Sequence, residues 1–529
     1  MPWRVWLSLV MLALGAGLTV AAQMAGAAPE RRGGIFKVGT TGASVQIDPQ
    51  LAYITTASWL EYATAAKLYN YRPGGKLGRE VASRYTVSNN GRRYTFYVRK
   101  GFRFSDGAPV TAQSFKYAFD RVLNPDLASP AKQFTQDIDR VVARGVKLVI
   151  FERRQDSNLL STLAMPFFQA TSAKLPLDRE VVDVRSTDDL PTAGPYAFTR
   201  NDANRLTSLR RNPYWKPGPG RTAPRNLDGV DVQWNLDEQT AFEMVKANQL
   251  DEGPIPAAEV QNVANQYGVN RSRFWVKALS SCIGQIALNN RRGIFQGNAA
   301  LRRAVNWAID RTDYAGVSGP FARTPWTHLL PPSYPGSITR PSLQPYAPKA
   351  NIAKARAIAA GHFKDGRITV YYRSSGAIGP AEAQLVRRDL INLGFHADNI
   401  TMKGFSGGDL YDAMGKRGTD ADLGVSMGWC SDYPGLAGTF PFLPFGGGSP
   451  FFPNSPKYLK KIEAARRLRG NARTTAIGKL DIDIMKNVAP TIVTNTLNNR
   501  FFFSNRVDPR SLKYHRVYED WSIPSLALK

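Results

Sequence analysis

Strand-like and helix-like patterns alternate along most of this chain, and that alternation limits its architecture more than any other feature. Gly34-Ile35-Phe36-Lys37-Val38-Gly39 reads as a first strand, and Ile47-Asp48-Pro49 turns the chain. Residues 58–71 carry Leu60, Ala63, Ala66, Lys67 and Tyr71 at helical spacing, with Arg72-Pro73-Gly74-Gly75 as a stop. Residues 83–87 and 93–99 flank Asn89-Asn90-Gly91 as a hairpin, because Asn and Gly tolerate the positive φ of a tight turn. Thr111 is placed to cap a helix over 112–123, whose Phe115, Ala118, Phe119 and Val122 share one face. After a mixed middle region, strands are expected at 196–199, 205–210 and 230–234, then an amphipathic helix at 238–248. The pattern resumes with strands at 283–288, 368–372 and 422–428 and helices at 298–309 and 382–393. Such alternation predicts α/β lobes with substantial sheet, and no short-period repeat is present.

The N-terminus carries a different signal. Arg4 precedes an apolar run over 5–22 that ends in Ala25-Gly26-Ala27-Ala28, the layout of a secretory signal peptide. A retained membrane anchor is the competing reading. Gly15, Gly17 and Gly26 weaken a spanning helix there and favour removal of residues 1–27, with the mature chain free in a periplasm. No cysteine near the site provides a lipid anchor. The remaining composition, 43% hydrophobic and 21% charged over the 529 residues, is that of a globular chain too long for one core.

The formal charge is +27, and +26 without the leader, which holds Arg4 and no acid. The cations are spread in ones and twos (Arg92-Arg93, Arg210-Arg211, Arg302-Arg303, Arg387-Arg388), which reads as a solvated basic surface. Weak attraction to anionic lipid or cell-wall polymer fits that charge, whereas no nucleic-acid reader motif accompanies it. The four histidines, His328, His362, His396 and His515, are dispersed, and no metal-ligand spacing, nucleophile elbow or phosphate loop occurs. No catalytic residue, cofactor or metal is therefore expected. Cys282 and Cys430 either pair with each other or sit buried and free.

Four segments, in order, resemble the large extracytoplasmic solute-binding proteins of ABC importers, the peptide, dipeptide and nickel-binding family. The first is Tyr94-Thr95-Phe96-Tyr97-Val98-Arg99-Lys100-Gly101-Phe102-Arg103-Phe104-Ser105-Asp106-Gly107-Ala108-Pro109-Val110-Thr111-Ala112. Gly194-Pro195-Tyr196 with Arg211-Asn212-Pro213-Tyr214-Trp215 is the second. The third is Leu288-Asn289 followed by Leu301-Arg302-Arg303-Ala304-Val305-Asn306-Trp307-Ala308-Ile309-Asp310-Arg311, and the fourth is Gly428-Trp429-Cys430-Ser431-Asp432-Tyr433-Pro434. The resemblance implies an α/β two-lobed clamp of the periplasmic-binding-protein type, with an extra subdomain, closing around a ligand cleft. Lobe I would combine 28–57, 176–282 and 500–529, with the subdomain at 58–175 and lobe II at 283–499. Residues 124–155 are shorter than is usual for the family, which implies a trimmed subdomain.

The same resemblance implies a monomeric substrate-binding component that captures short peptides and delivers them to membrane permease subunits, touching the membrane only through them. Nickel chelates, haem or oligosaccharides are the alternative cargoes within the family, and an exported peptide chaperone or adhesin is the alternative outside it. Asp432 stands where peptide-binding relatives place a carboxylate against the ligand amine, though an Asp before Tyr433-Pro434 also caps a turn. Trp429 and Tyr433 flank it as flat apolar walls, Trp429 being equally suited to a core. Arg373, ending a strand, is the candidate for the ligand carboxylate, with a solvated loop arginine as the other reading. Tyr53 and Thr56 follow Asp48-Pro49, where family members approach the ligand from the first lobe. In some peptide-binding relatives the positions of Cys282 and Cys430 face each other in a disulfide.

Overall fold

A computed structural model describes residues 33–529 except 54, 155–157, 333, 375, 417, 432–454 and 469. Residues 1–27, the expected signal, lie outside the described residues, as do Asp432 and Tyr433. Among the described residues, eleven strands form one sheet. Its order is Ile400–Phe405, Ile368–Arg373, Leu423–Cys430, Phe274–Leu288, Thr491–Phe503, Glu252–Gly253, Ile35–Gly39, Gly229–Gln233, Leu206–Arg211 and Tyr196–Asp202, with Arg323–Pro325 also paired to Thr491–Phe503.

Two long antiparallel strands, Phe274–Leu288 and Thr491–Phe503, run through both halves of this sheet. Their pairing is regular from Phe274 to Ala278, slips between Ala278 and Ile283, and shifts once more between Gly284 and Gln285 before running on to Ala287. On one side of the slip the sheet continues through the Ile35–Gly39 strand, on the other through Leu423–Cys430. Each side has its own core. Phe36, Phe96, Phe119, Phe168, Tyr196 and Trp521 belong to the larger cluster, whereas Ile286, Leu301, Val305, Val370, Leu390 and Val425 belong to a second. The mixed α/β two-lobed architecture follows from these two cores joined by shared strands.

Beside the first core, Ala82–Ser88, Arg93–Val98, Lys147–Glu152 and Ile138–Arg144 make a separate four-stranded antiparallel sheet. Asn89, Asn90 and Gly91 all have positive φ, the conformation the hairpin turn requires. The helix Ala112–Leu123 packs Phe115, Phe119 and Val122 inward. The region read as mixed supplies the two strands on either side of Gly145, which complete this sheet.

The helix expected over 58–71 is instead Thr55–Thr64, followed by the short strand Tyr69–Tyr71. Helical spacing persists past Thr64, but tertiary hydrogen bonds end the helix. The Thr64 carbonyl accepts from Gly194 N at 2.6 Å, and Lys67 N donates to Glu80 Oε2 at 2.8 Å. A Cβ at Gly194 would lie 2.4 Å from the Thr64 carbonyl carbon, so only glycine permits this approach.

The other recurring segments are anchors of the same kind. Asn212, fully buried, donates to Gly194 O (3.0 Å) and accepts from Tyr214 N (3.0 Å). Asp48 and Arg121 form a wholly buried ion pair (2.7 Å), and Asp48 also accepts from Gln50 N and Val181 N. This pair ties the loop after the first strand to the helix Ala112–Leu123. Removing one partner strands a buried charge, so Arg121→Met is expected to lower unfolding free energy by about 3–5 kcal/mol in urea titration. Asp48→Asn combined with Arg121→Met should cost less than Arg121→Met alone.

Candidate functional site

A cavity of about 640 Å³ opens between the two halves of the sheet. Tyr53, Tyr62, Phe167 and Tyr518 line it from the first lobe, Tyr411 and Gly428 to Ser431 from the second. The Leu423–Cys430 strand carries Trp429 and Cys430 to this place because it pairs antiparallel with the central strand, Ile283 opposite Trp429 and Cys282 opposite Cys430. Cys282 and Cys430 are joined in a disulfide, with Cα atoms 4.0 Å apart. The bond crosslinks neighbouring strands at the cavity wall and holds the segment that leads into Asp432.

The first-lobe wall is aromatic. Tyr53 packs tilted against Phe167 (5.9 Å) and Phe134 (6.2 Å), and Tyr62 against Tyr518 (4.7 Å). Behind Tyr518 lies His515, stacked at 4.0 Å. Its Nε2 donates to Tyr71 O (3.0 Å) and its Nδ1 accepts from Val517 N (3.4 Å), a pattern that only the neutral ring satisfies. Burial pushes this histidine down to about 3. Beneath Tyr62, the Lys67 ammonium sits 3.2 Å from the ring centroid, and burial pulls it down to about 7. Glu61 is fully buried beside it, accepts from Gln169 Nε2 (2.7 Å), and is pushed up to about 8 by that burial.

Glu519 is the only charged side chain lining the cavity among the described residues. Its Oε1 accepts from Ser281 N (2.7 Å) and Ser281 Oγ (2.8 Å), while Oε2 lies 3.2 Å from the Cys282 sulfur. A carboxylate held at the base of a largely aromatic chamber, without a lining Lys or Arg, favours a cationic group in the ligand. Sequence reasoning missed it, because an acid among the last few residues, in Tyr518-Glu519-Asp520-Trp521, has no diagnostic spacing.

A second cavity of about 430 Å³ shares Tyr411 and Gly428 with the first. Arg373 lines it, at the end of the Ile368–Arg373 strand. Its Nε is shut off from solvent and has no hydrogen-bond partner among the described residues. A Cβ at Gly379 would lie 2.0 Å from the Arg373 carbonyl oxygen, so the helix Ile378–Leu393 can start this close only with glycine there. That helix brings buried Glu382 to the cavity wall, where it pairs with Arg323 and accepts from Tyr314 Oη at 2.9 Å and from Ser426 Oγ. Thus Tyr53, Trp429 and Cys430 share the first cavity and Arg373 stands in the adjoining one. Thr56 is exposed on the Thr55–Thr64 helix and does not line either.

Two lobes sharing a pair of strands, with a chamber between them walled from both sides, define a clamp-type binding protein. The description "Bacterial extracellular solute-binding proteins, family 5 Middle" matches residues 76–449, and the chain belongs to that family. Among curated relatives, the glutathione-binding protein GsiB of Salmonella paratyphi A is 27% identical over 290 residues, 54% of each chain. The chain thus matches about half the length of such relatives. The solved structure of clavulanic acid biosynthesis oligopeptide binding protein 2 superposes with a TM-score of 0.79 at 20% identity, covering 94% of this chain and 96% of that one. The Helicobacter pylori ABC transporter-associated periplasmic binding protein DppA, in complex with peptide STSA, gives 0.73 at 17% identity, covering 93% and 98%. These proteins are binding proteins, and no helix of the described residues is long and apolar enough to cross a membrane.

His515 gives the cavity wall a pH limit. A histidine held neutral when folded and titrating at its ordinary value when unfolded contributes stability that is present above about 6.5 and lost as pH falls towards 3. In that window the wild type should lose about 1.4 kcal/mol per pH unit relative to His515→Gln, read from urea unfolding between pH 6.5 and pH 4.

Proposed function

We propose that this chain is the substrate-capturing component of an ABC importer for short peptides. The observation that carries the reading is the polarity of the two adjoining cavities. Glu519 lines one cavity and Arg373 the adjoining one, so an acid and a base stand at the two ends of an elongated ligand, about what the amine and carboxylate of a short peptide require. Aromatic walls between them supply apolar contact without selecting particular side chains. Asp432, two residues beyond the disulfide-held Cys430, is assigned the ligand amine together with Glu519, and Tyr433 the flanking wall. The glutathione- and peptide-binding descriptions of the compared proteins support the same class of cargo.

Export by removal of residues 1–27 places the chain where such a receptor works. Lobe I is assigned 28–57, 176–282 and 500–529, with the subdomain at 58–175 and lobe II at 283–499. A ligand touching both walls stabilises the closed clamp, which a permease then recognises, and the receptor acts as a monomer. Scattering should accordingly show compaction on saturation with ligand.

Titration calorimetry with free di- to pentapeptides is expected to give saturable binding at micromolar or tighter affinity. C-terminal amidation of a bound peptide and the Arg373→Gln substitution should each weaken binding roughly tenfold or more, and together by little beyond either alone. Binding by none of the peptides overturns the reading, and additive losses remove Arg373 from it.

A further inference from the structure

The basic residues that look scattered in sequence converge on one face of the subdomain sheet. Cross-strand register assigns its rows. Ser88, Arg93, Phe151 and Arg140 form one row, Thr86, Thr95, Val149 and Val142 the next, and Arg84, Tyr97, Lys147 and Arg144 the third. Period-two alternation points all of them to the same side, opposite Tyr94, Phe96, Leu148 and Ile150, which are buried in the core. Five cations, Arg84, Arg93, Arg140, Arg144 and Lys147, therefore share a surface about 15 Å across.

These cations are not spent on neighbours. No Asp or Glu stands in the three rows. Arg84, Arg93, Arg144 and Lys147 make no ion pair among the described residues, and Arg140 meets only the adjacent Asp139 at 3.5 Å. Two aromatic rings carry them instead. The Arg84 guanidinium lies 3.4 Å from the Tyr97 ring centroid with Lys147 at 5.6 Å, while Arg140 and Arg93 lie 4.1 and 5.4 Å from Phe151. The rings hold long side chains against the sheet and keep the positive charge in one layer. Arg144 faces Lys147 directly across the hairpin, an opposition of like charges that destabilises the free sheet.

We infer that this face docks on an anionic phospholipid surface. A flat layer of cations over half-exposed rings complements a plane of phosphate headgroups, where each basic side chain adds to attraction and aromatic rings favour the interface. None of these residues lines the ligand cavities, so the clamp stays open to solute while the subdomain rests on lipid. Docking would confine the receptor to the membrane plane, independently of what it carries.

Sedimentation of the full-length mature chain with vesicles tests this. Vesicles of phosphatidylcholine with about one-third phosphatidylglycerol should bind it, pure phosphatidylcholine should not, and raising salt from 0.05 to about 0.5 M should release it. Replacing Arg84, Arg93, Arg140, Arg144 and Lys147 by Gln should weaken partitioning roughly a hundredfold. Replacing exposed Arg271, Arg340, Lys349, Arg367 and Lys479 by Gln makes the same charge change elsewhere and should weaken it less than threefold. If the fivefold face variant does not fold, Arg144→Gln with Lys147→Gln, beside the Gly145 turn, should still lose at least fivefold. Equal losses in face and control variants, or binding to single-stranded DNA but not to vesicles, would overturn the proposal.

Discussion

Everything in this molecule is referred to the strand pair Phe274–Leu288 and Thr491–Phe503, because both halves of the sheet are built outward from it. Buried cations hold the second of these strands near both ends. Arg311 Nε donates to Val493 O (2.7 Å), Asn306 Nδ2 to Thr491 O (3.1 Å) and Arg302 Nε to Val488 O (2.9 Å). At the far end Arg273 Nε donates to Phe503 O (2.6 Å). Burial pulls Arg302 and Arg311 down only to about 10, so both remain charged at neutral pH and the Val488 and Val493 carbonyls receive charge-assisted bonds. Between these fixed ends the register shifts twice, between Ala278 and Ile283 and between Gly284 and Gln285.

The first of these shifts sits beside the chamber. Ser281 hands its backbone and hydroxyl donors to Glu519, and Cys282 crosses to Cys430. The segment where the lobes meet is therefore also the segment that holds the chamber's charge and its wall. A ligand bridging Trp429 and the Tyr53–Tyr518 wall would touch both sides of the strand pair that the two halves share.

The residues that made the chain recognisable are mostly anchors. Asn212, Arg302, Asn306 and Arg311 are buried and spend their donors on backbone carbonyls. Gly194 allows a backbone approach that no side chain tolerates. They define the fold and say little about cargo. The residues facing the two cavities come from many separate stretches and follow no spacing, which is why Trp429, Tyr53 and Arg373 could be suggested from their neighbours while Glu519, Tyr62 and Tyr411 could not.

Local chemistry by itself determined the hairpin at Asn89-Asn90-Gly91, the helix Ala112–Leu123 and the strands Ile35–Gly39 and Ile368–Arg373, since turn residues and apolar periodicity act over a few neighbours. It did not reveal Thr491–Phe503, whose first six residues are all buried and so show no alternation. It overextended the first helix, because Gly194 and Glu80, distant in sequence, supply the bonds that end it at Thr64. Only tertiary structure decided which cations share one face of the four-stranded sheet and which carboxylate sits in the chamber. Both depend on strand register across tens to hundreds of residues, where each strand's partner, and not its own composition, fixes what its side chains meet.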